Sequence, residues 1–309
     1  MSHREFNVAK RLVMHIGMPK CGSTSIQAML AAEIDVLNEA DIIVPKNLNF
    51  ENSWRLSAAT LQQNELKYFT NVMKVFSLNE CDNIKIELTQ TLKQLKTAVA
   101  QHSDYTIVIS SEYLYSKCLS PKSVFKLKEL LGGWFDVVEI VFVTKHPSSL
   151  LRSMYAQYVQ GPAMGSITFE DYVHQNLDNS MYDYLQQLEI WQKEFSDANI
   201  IVIDLNKLDS TTTLIELFMQ ILTRSKENNI GVLNHSTNKS LDYNNLKLLA
   251  KFNHFKHNNK LLSRYEFNHF VIKVVRNIVR YLPLRGDFPN INIEQLENSY
   301  RNFLEKYQR

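Results

Sequence analysis

The residues best suited to chemistry in this chain lie between Gly17 and Ser25, in the run GMPKCGSTS. Gly17 and Gly22 bracket a short turn that holds Pro19 and Lys20. Three consecutive hydroxyls, Ser23, Thr24 and Ser25, then open a predicted helix. Backbone N–H groups at a helix N-terminus, one cation and several hydroxyl donors together make a site for a phosphate or sulfate group. The position of the lysine decides which kind of site. A nucleotide-hydrolase loop reads G-x-x-x-x-G-K-[ST], with its lysine directly after the second glycine. Here that slot holds Ser23, and Lys20 sits inside the loop. Glycine turns also serve as plain strand-to-helix connections. It is Pro-Lys, glycine and a triple hydroxyl, directly after an apolar run, that point to an anion.

Two further groupings carry chemistry. After the apolar run VVEIVFVT come Lys145, His146 and Pro147, with Ser153 eight residues beyond Lys145. After YTIVIS come Ser111 and Glu112. Open parallel sheets bind ligands at the carboxyl ends of their strands. Glu112 thus falls where a carboxylate can take a proton from a reacting group. The plain alternative is a helix-capping or ion-paired glutamate. His15, directly before the first loop, competes as base, although a lone histidine in an apolar strand is also the pattern of a core residue. Cys21, in an electropositive loop at a helix N-terminus, is expected to have a lowered pKa and to react readily. The alternative is an inert cysteine packed beneath the loop. His254, His257 and His269 lack ligand spacing, so no metal is expected.

The sequence Pro19-Lys20-Cys21-Gly22-Ser23-Thr24 resembles the loop with which sulfotransferases grip the 5′-phosphosulfate of 3′-phosphoadenosine 5′-phosphosulfate (PAPS). Lys145 and Ser153 resemble the element that binds the 3′-phosphate, with one departure. The family has an arginine where this chain has Lys145, which keeps the charge but loses the bidentate fork. Ser110-Ser111-Glu112, Tyr155, Gln157, Gly161, Tyr182, Trp191, Phe195 and Asn238-Lys239-Ser240-Leu241 extend the likeness to bacterial carbohydrate-modifying sulfotransferases, over about residues 11–245. The resemblance implies PAPS as co-substrate and no metal. Lys20 then stabilises the leaving phosphate, and Cys21, Gly22, Ser23, Thr24 and Ser25 line the phosphosulfate. Asn238 and Ser240 close over the nucleotide. The implied acceptor is a hydroxyl, less readily an amine, of a glycan or glycolipid. Two rivals stand beside this reading. A nucleotide kinase or NTPase needs a lysine at position 23 and an earlier metal-binding aspartate than Asp204. A non-catalytic nucleotide-binding scaffold draws its support from Lys145.

These residues need strands to deliver them. The pattern predicts strands at 12–16, 42–44, 105–109, 137–144 and 200–204. It predicts helices at 23–32, 121–131, 147–161, 167–175, 181–195 and 211–222, helix-like spacing through 53–103, and a loop at 224–236. This is an α/β, P-loop-like three-layer domain with a central, mostly parallel sheet over 1–236. A helical segment, 237–309, is expected to pack on the same domain.

With 309 residues, 45% hydrophobic and 21% charged, the composition is that of a globular protein. A net charge of +2 excludes a wholesale electrostatic nucleic-acid binder. Three cysteines, none in C-x-x-C, argue against a disulfide framework and for a reducing, cytoplasmic setting. The first residues are polar rather than a secretory signal, and no apolar run approaches the ~18 residues of a membrane span. Between Lys251 and Arg285 stand eight Lys and Arg against one carboxylate, Glu266. That stretch reads as a cap packing its apolar face on the domain, or as a basic amphipathic face for an anionic acceptor or the inner membrane surface. One helix can do both.

Overall fold

The computed structural model describes residues 10–61, 78–100, 104–161, 165–208, 213–224, 241–258, 274–275, 277–279 and 281–307. The apolar runs become strands: β1 (Lys10–His15), β2 (Ile42–Ile43), β3 (Tyr105–Ser110), β4 (Val137–Thr144) and β5 (Asn199–Asp204). They form one all-parallel sheet in the order β2-β3-β1-β4-β5, flanked by helices. The α/β class expected from the sequence is what the chain adopts. β1 is central, with His15 opposite Ser110 on one side and Val141 on the other. Residues 139–144 of β4 and 11–15 of β1 are buried, as strands covered on both faces must be.

Local signals set the helix ends. α1 (Ser23–Ala32) follows the glycine turn. Then come α2 (Ile34–Glu39), α3 (Arg55–Thr60) and α4 (Leu78–Ala98), the last two within the stretch 53–103 that reads as helix-like throughout. α5 (Glu112–Lys117) leaves directly from β3, and α6 (Pro121–Leu131) is capped by Ser120 and ended by Gly132 at φ 69°. α7 (Pro147–Gln160) and α8 (Phe169–Asn176) follow. The stretch 181–195 splits into a 3₁₀ turn, Ser180–Tyr182, and α9 (Tyr184–Glu194). α10 (Leu214–Thr223) has a full capping box between Thr213 and Glu216. α11 (Tyr243–Asn258) and α12 (Glu294–Tyr307) lie in the region expected to be helical to the end. Residues 282–293, however, are not helical. Pro283 and Pro289 have no N–H to donate and clash with the preceding turn. Residues 225–236, in the expected loop, lie outside the described residues.

The chain divides into two compact units. One comprises Met1–Lys145, Asp183–His235 and Arg301–Arg309, and holds the sheet. The other comprises His146–Tyr182 and Ser236–Tyr300. In the first unit, Phe142 of β4 packs on Tyr115 at 4.9 Å and Phe303 at 5.8 Å, and Phe303 packs on Tyr184. The second has its own aromatic core. Phe288 meets Phe169 at 4.8 Å and Tyr243 at 4.9 Å, and the buried Asn253 amide donates to the Val159 and Gly165 carbonyls.

At the amino end of β1, Arg11 is buried and ion-paired with Glu139 of β4. It also donates to the Leu222 and Ile221 carbonyls at the end of α10, where the helix dipole favours a cation. One guanidinium thus ties two strands to a helix. Removing Arg11 leaves Glu139, among the described residues, only the exposed Arg224, at 3.5 Å, as a partner; losing one partner of a buried pair typically destabilises by about 3–5 kcal/mol. Arg11→Met is expected to lower the unfolding free energy by that order in chemical denaturation, and adding Glu139→Leu to recover part of it. A loss below ~1 kcal/mol would show the pair to be a minor contributor.

Candidate active site

A parallel sheet puts the carboxyl end of every strand on one edge. That edge gathers Lys20 and Ser23 after β1, Glu112 after β3, Lys145 after β4 and Asp204 at the end of β5. Their charges act on one another across the loop. Glu112 is influenced by Lys20 and Ser23, Lys145 by Lys20, and Cys21 by Lys145, Glu112 and Asp204.

The loop is a fixed shape. The Cys21 N–H donates to the Met18 carbonyl at 3.2 Å across Pro19-Lys20. With Lys20 at φ 64°, this is the geometry of a type II turn, where glycine is the usual third residue. A lysine held in that region is strained by the order of 1 kcal/mol, the kind of outlier that accumulates at functional sites. Met18 and Cys21 turn inward and are fully buried, while Lys20 faces out. Gly17 has φ 77°, and a Cβ there would lie 2.8 Å from the Glu112 Cα. Only glycine lets the loop close onto the residue after β3.

Helix α1 differs from α6 and α10 in having no side-chain cap. Its N-cap is Gly22, at φ 89°. Ser25 and Ile26 donate to the Gly22 carbonyl, whereas the N–H groups of Gly22, Ser23 and Thr24 have no acceptor among the described residues. Thr24 is exposed, Ser25 half-buried and Ser23 buried, with its hydroxyl 3.4 Å from the Met18 carbonyl. Three uncapped donors beside an outward lysine form a positive rim.

Glu112 sits against that rim. Burial pushes its carboxyl above the ordinary range, and a hydrogen bond from Ser23 and the charge of Lys20 pull it back part of the way. Lys145 is half-buried, and burial with the nearby Lys20 lowers it, while Cys21 opposes. Tyr184 donates to the Lys145 carbonyl at 3.3 Å, fixing the backbone where β4 ends.

His15 belongs beneath this site. It is fully buried, its Nδ1 lies 2.8 Å from the Ser110 hydroxyl, and Phe218 meets its ring edge-on at 5.7 Å. Burial holds it neutral, with its pKa lowered from 6.5 to about 3. The expectation that it competes as base is corrected here: enclosed on all sides, it reaches no acceptor and instead positions Ser110. Asn49, which sequence reading did not single out, completes the arrangement. It accepts from the Ser110 N–H at 2.7 Å and donates to the Val108 carbonyl at 3.0 Å, supplying ladder bonds where the two-residue β2 stops. Gln27 donates to the Ser110 carbonyl, and the Ser111 hydroxyl donates to the Ser53 carbonyl. Every polar group of Ser110 is therefore held, and Glu112 follows from a rigid strand end.

Cys21 also departs from expectation. Burial raises its thiol to about 12, with Glu112 and Asp204 adding to the rise and Lys145 opposing it. The helix N-terminus does not win, because the side chain packs under the loop at 0% exposure. Ser153 lies in the second unit, half-buried, donating to the Ser149 carbonyl within α7. Asn238 and Ser240 lie outside the described residues. Among the described residues no group of three His, Cys, Asp or Glu is placed to hold a metal ion, and no helix is long and apolar enough to cross a membrane. No protein-family model matches the chain, and no curated protein matches it in sequence.

Two measurements check this description. Below pH 6.5 the unfolded chain protonates His15 while the folded chain does not until about pH 3. Stability is therefore lost as pH falls through that window, by up to ~1.4 kcal/mol per pH unit. His15→Gln is expected to flatten this acid limb in denaturation curves, and an unchanged slope would contradict a neutral buried imidazole. Cys21 is expected to resist alkylation at neutral pH in the folded chain and to react once the chain is denatured. Mapping the labelled peptide decides this.

Proposed function

We propose that the chain is a PAPS-dependent sulfotransferase. The observation that carries the reading is the pairing of Lys20, on the lip of an uncapped helix N-terminus, with Glu112, brought against the same loop by Gly17. The uncapped N–H groups of Gly22, Ser23 and Thr24 suit the tetrahedral oxygens of a phosphosulfate. PAPS, when bound, supplies an activated sulfuryl group. The residues then divide the work. The α1 N-terminus and the Ser23, Thr24 and Ser25 hydroxyls hold the 5′-phosphosulfate. Lys20 places its ammonium where negative charge grows on the leaving phosphate oxygen. Lys145 takes the 3′-phosphate, as a single point charge rather than a fork. Glu112 accepts the proton of the attacking hydroxyl as the new S–O bond forms and the S–O bond to phosphate breaks. Burial shifts its carboxyl upward from the ordinary carboxylate range, the direction that strengthens a general base. The acceptor class, a glycan or glycolipid hydroxyl, rests on the sequence resemblance alone.

Calorimetry is expected to show adenosine 3′,5′-bisphosphate binding more tightly than AMP or ATP, without magnesium. Lys145→Arg should keep or improve that affinity, and Lys145→Ala should weaken it. With labelled PAPS and a panel of glycans, Lys20→Ala should lower kcat by orders of magnitude, because its charge acts on the transition state. Glu112→Gln should keep or modestly tighten nucleotide affinity, because it removes a negative charge beside the anion, and should lower turnover by about 10²–10⁴-fold. Tighter binding of ATP with magnesium would replace this reading with a nucleotide kinase. Bisphosphate binding without transfer to any acceptor would replace it with a nucleotide-binding scaffold.

A further inference from the structure

The charge of this chain is unevenly distributed. Between Tyr243 and Gly286 there are nine Lys and Arg against one carboxylate, leaving 25 Lys and Arg against 31 Asp and Glu elsewhere. A protein of near-neutral total charge thus carries one strongly basic stretch and an acidic remainder.

The same stretch exposes apolar side chains in register. Residues 274, 275, 277–279 and 281 are helical. Val274, Ile278, Tyr281 and Leu282 recur at i, i+4, i+7 and i+8, one face of a helix, and all four are exposed, Ile278 at 56% and Tyr281 at 82%. Val279 points the other way and is buried. On α11, Leu248 and Phe255 are exposed two turns apart, Phe255 at 59%, with the exposed Lys251 between them. The two segments meet: the Asn245 amide donates to the Val279 and Leu282 carbonyls, and Asn244 to that of Arg285. Lys247 and Arg285, both exposed, flank this junction. Buried polar bonds fix the backbone while the apolar side chains are left outside.

We propose that this face, formed by Leu248, Phe255, Ile278 and Tyr281 and edged by Lys247, Lys251 and Arg285, docks on an anionic lipid bilayer. Charge complementarity selects an anionic partner, to which each cation near a charged membrane adds about 1 kcal/mol, roughly five-fold in partitioning. The exposed aliphatic and aromatic side chains distinguish a bilayer from a polyanion, because they can enter the headgroup boundary but gain nothing from a hydrated polymer. Such a segment lies in the interface and need not span it.

The experiment is flotation of the full chain with vesicles of phosphatidylcholine alone, or of equal parts phosphatidylcholine and phosphatidylglycerol. Neither nucleotide nor sulfate transfer enters it, so its outcome is independent of the sulfotransferase reading. Binding is expected to the mixed vesicles only, and to weaken with salt. Ile278→Ser with Tyr281→Ser, both at exposed positions, should lower binding about ten-fold with an unchanged thermal melt. Lys247→Gln with Lys251→Gln should lower it by roughly 25-fold. Absence of binding to mixed vesicles overturns the proposal. So does binding that ignores the Ile278 and Tyr281 changes while heparin binds equally well, which would assign the charge to a polyanion.

Discussion

Everything at the candidate site depends on β1 being paired in parallel on both sides. Because His15 stands opposite Ser110, the loops after β1 and β3 leave the sheet at one level, while β4 runs on past Val141 to Thr144 before its loop leaves on the same edge. Lys20, Glu112 and Lys145 are far apart in sequence, and no local feature of any of them draws it toward the others. The register does. A slip of one residue would turn every buried side chain of β1 to the opposite face. The continuous apolar runs of β1 and β4 do not by themselves oppose such a slip, since both faces are apolar; the Arg11–Glu139 pair at the amino end and the Asn49 bonds to β3 do.

The site then uses what the scaffold leaves unsatisfied. Some helix starts are closed by side chains: Ser120 caps α6, and Thr213 with Glu216 forms a reciprocal box on α10. The first turn of α1 opens onto the strand edge with glycine at its cap, and a lysine takes a left-handed conformation in the turn before it. Donors without acceptors and a strained cation are costs that folding alone would select against. An anion bound there would satisfy the donors and pair with the ammonium, though the backbone strain at Lys20 would remain.

Much of this was legible in the sequence, for identifiable reasons. α1, α6 and β4 fall at their expected limits because a glycine turn, a Ser-Pro start with a Gly-Gly stop, and a run of β-branched residues are local signals. The convergence of Lys20 with Glu112 followed from one rule about parallel sheets. What failed was whatever depends on depth. Cys21 and His15 occupy positions whose neighbours in sequence suggest an active site, yet both point down into the core, and burial outweighs the helix terminus and the adjacent cations. Asn49 gave no signal at all. Its role exists only because β2 is two residues long, cut short ahead of Pro45, which cannot donate to a ladder. The break at 282–293 was missed: Pro283 and Pro289 announce it, but the apolar spacing before them read as continuous helix.

The electrostatics of Glu112 link the two halves of the proposed chemistry. Burial raises its pKa, and Lys20 and Ser23 lower it. A sulfate or phosphate held at the loop takes up both of these neighbours: its charge offsets that of Lys20, and its oxygens compete for the Ser23 hydroxyl. The two effects that hold the carboxylate ionised are then weakened, and only burial remains at full strength. The affinity of Glu112 for a proton therefore rises when the anion binds, by the same Coulomb terms that bind it. In the proposed reaction the carboxylate would thus be a stronger base while the anion is bound and a weaker one after it leaves. Lys20 would serve both ends of this proposed cycle, on the leaving oxygen and on the carboxylate. A neutral side chain at position 20 would remove the charge on the leaving group and, in the same stroke, detach proton affinity at Glu112 from occupancy of the loop.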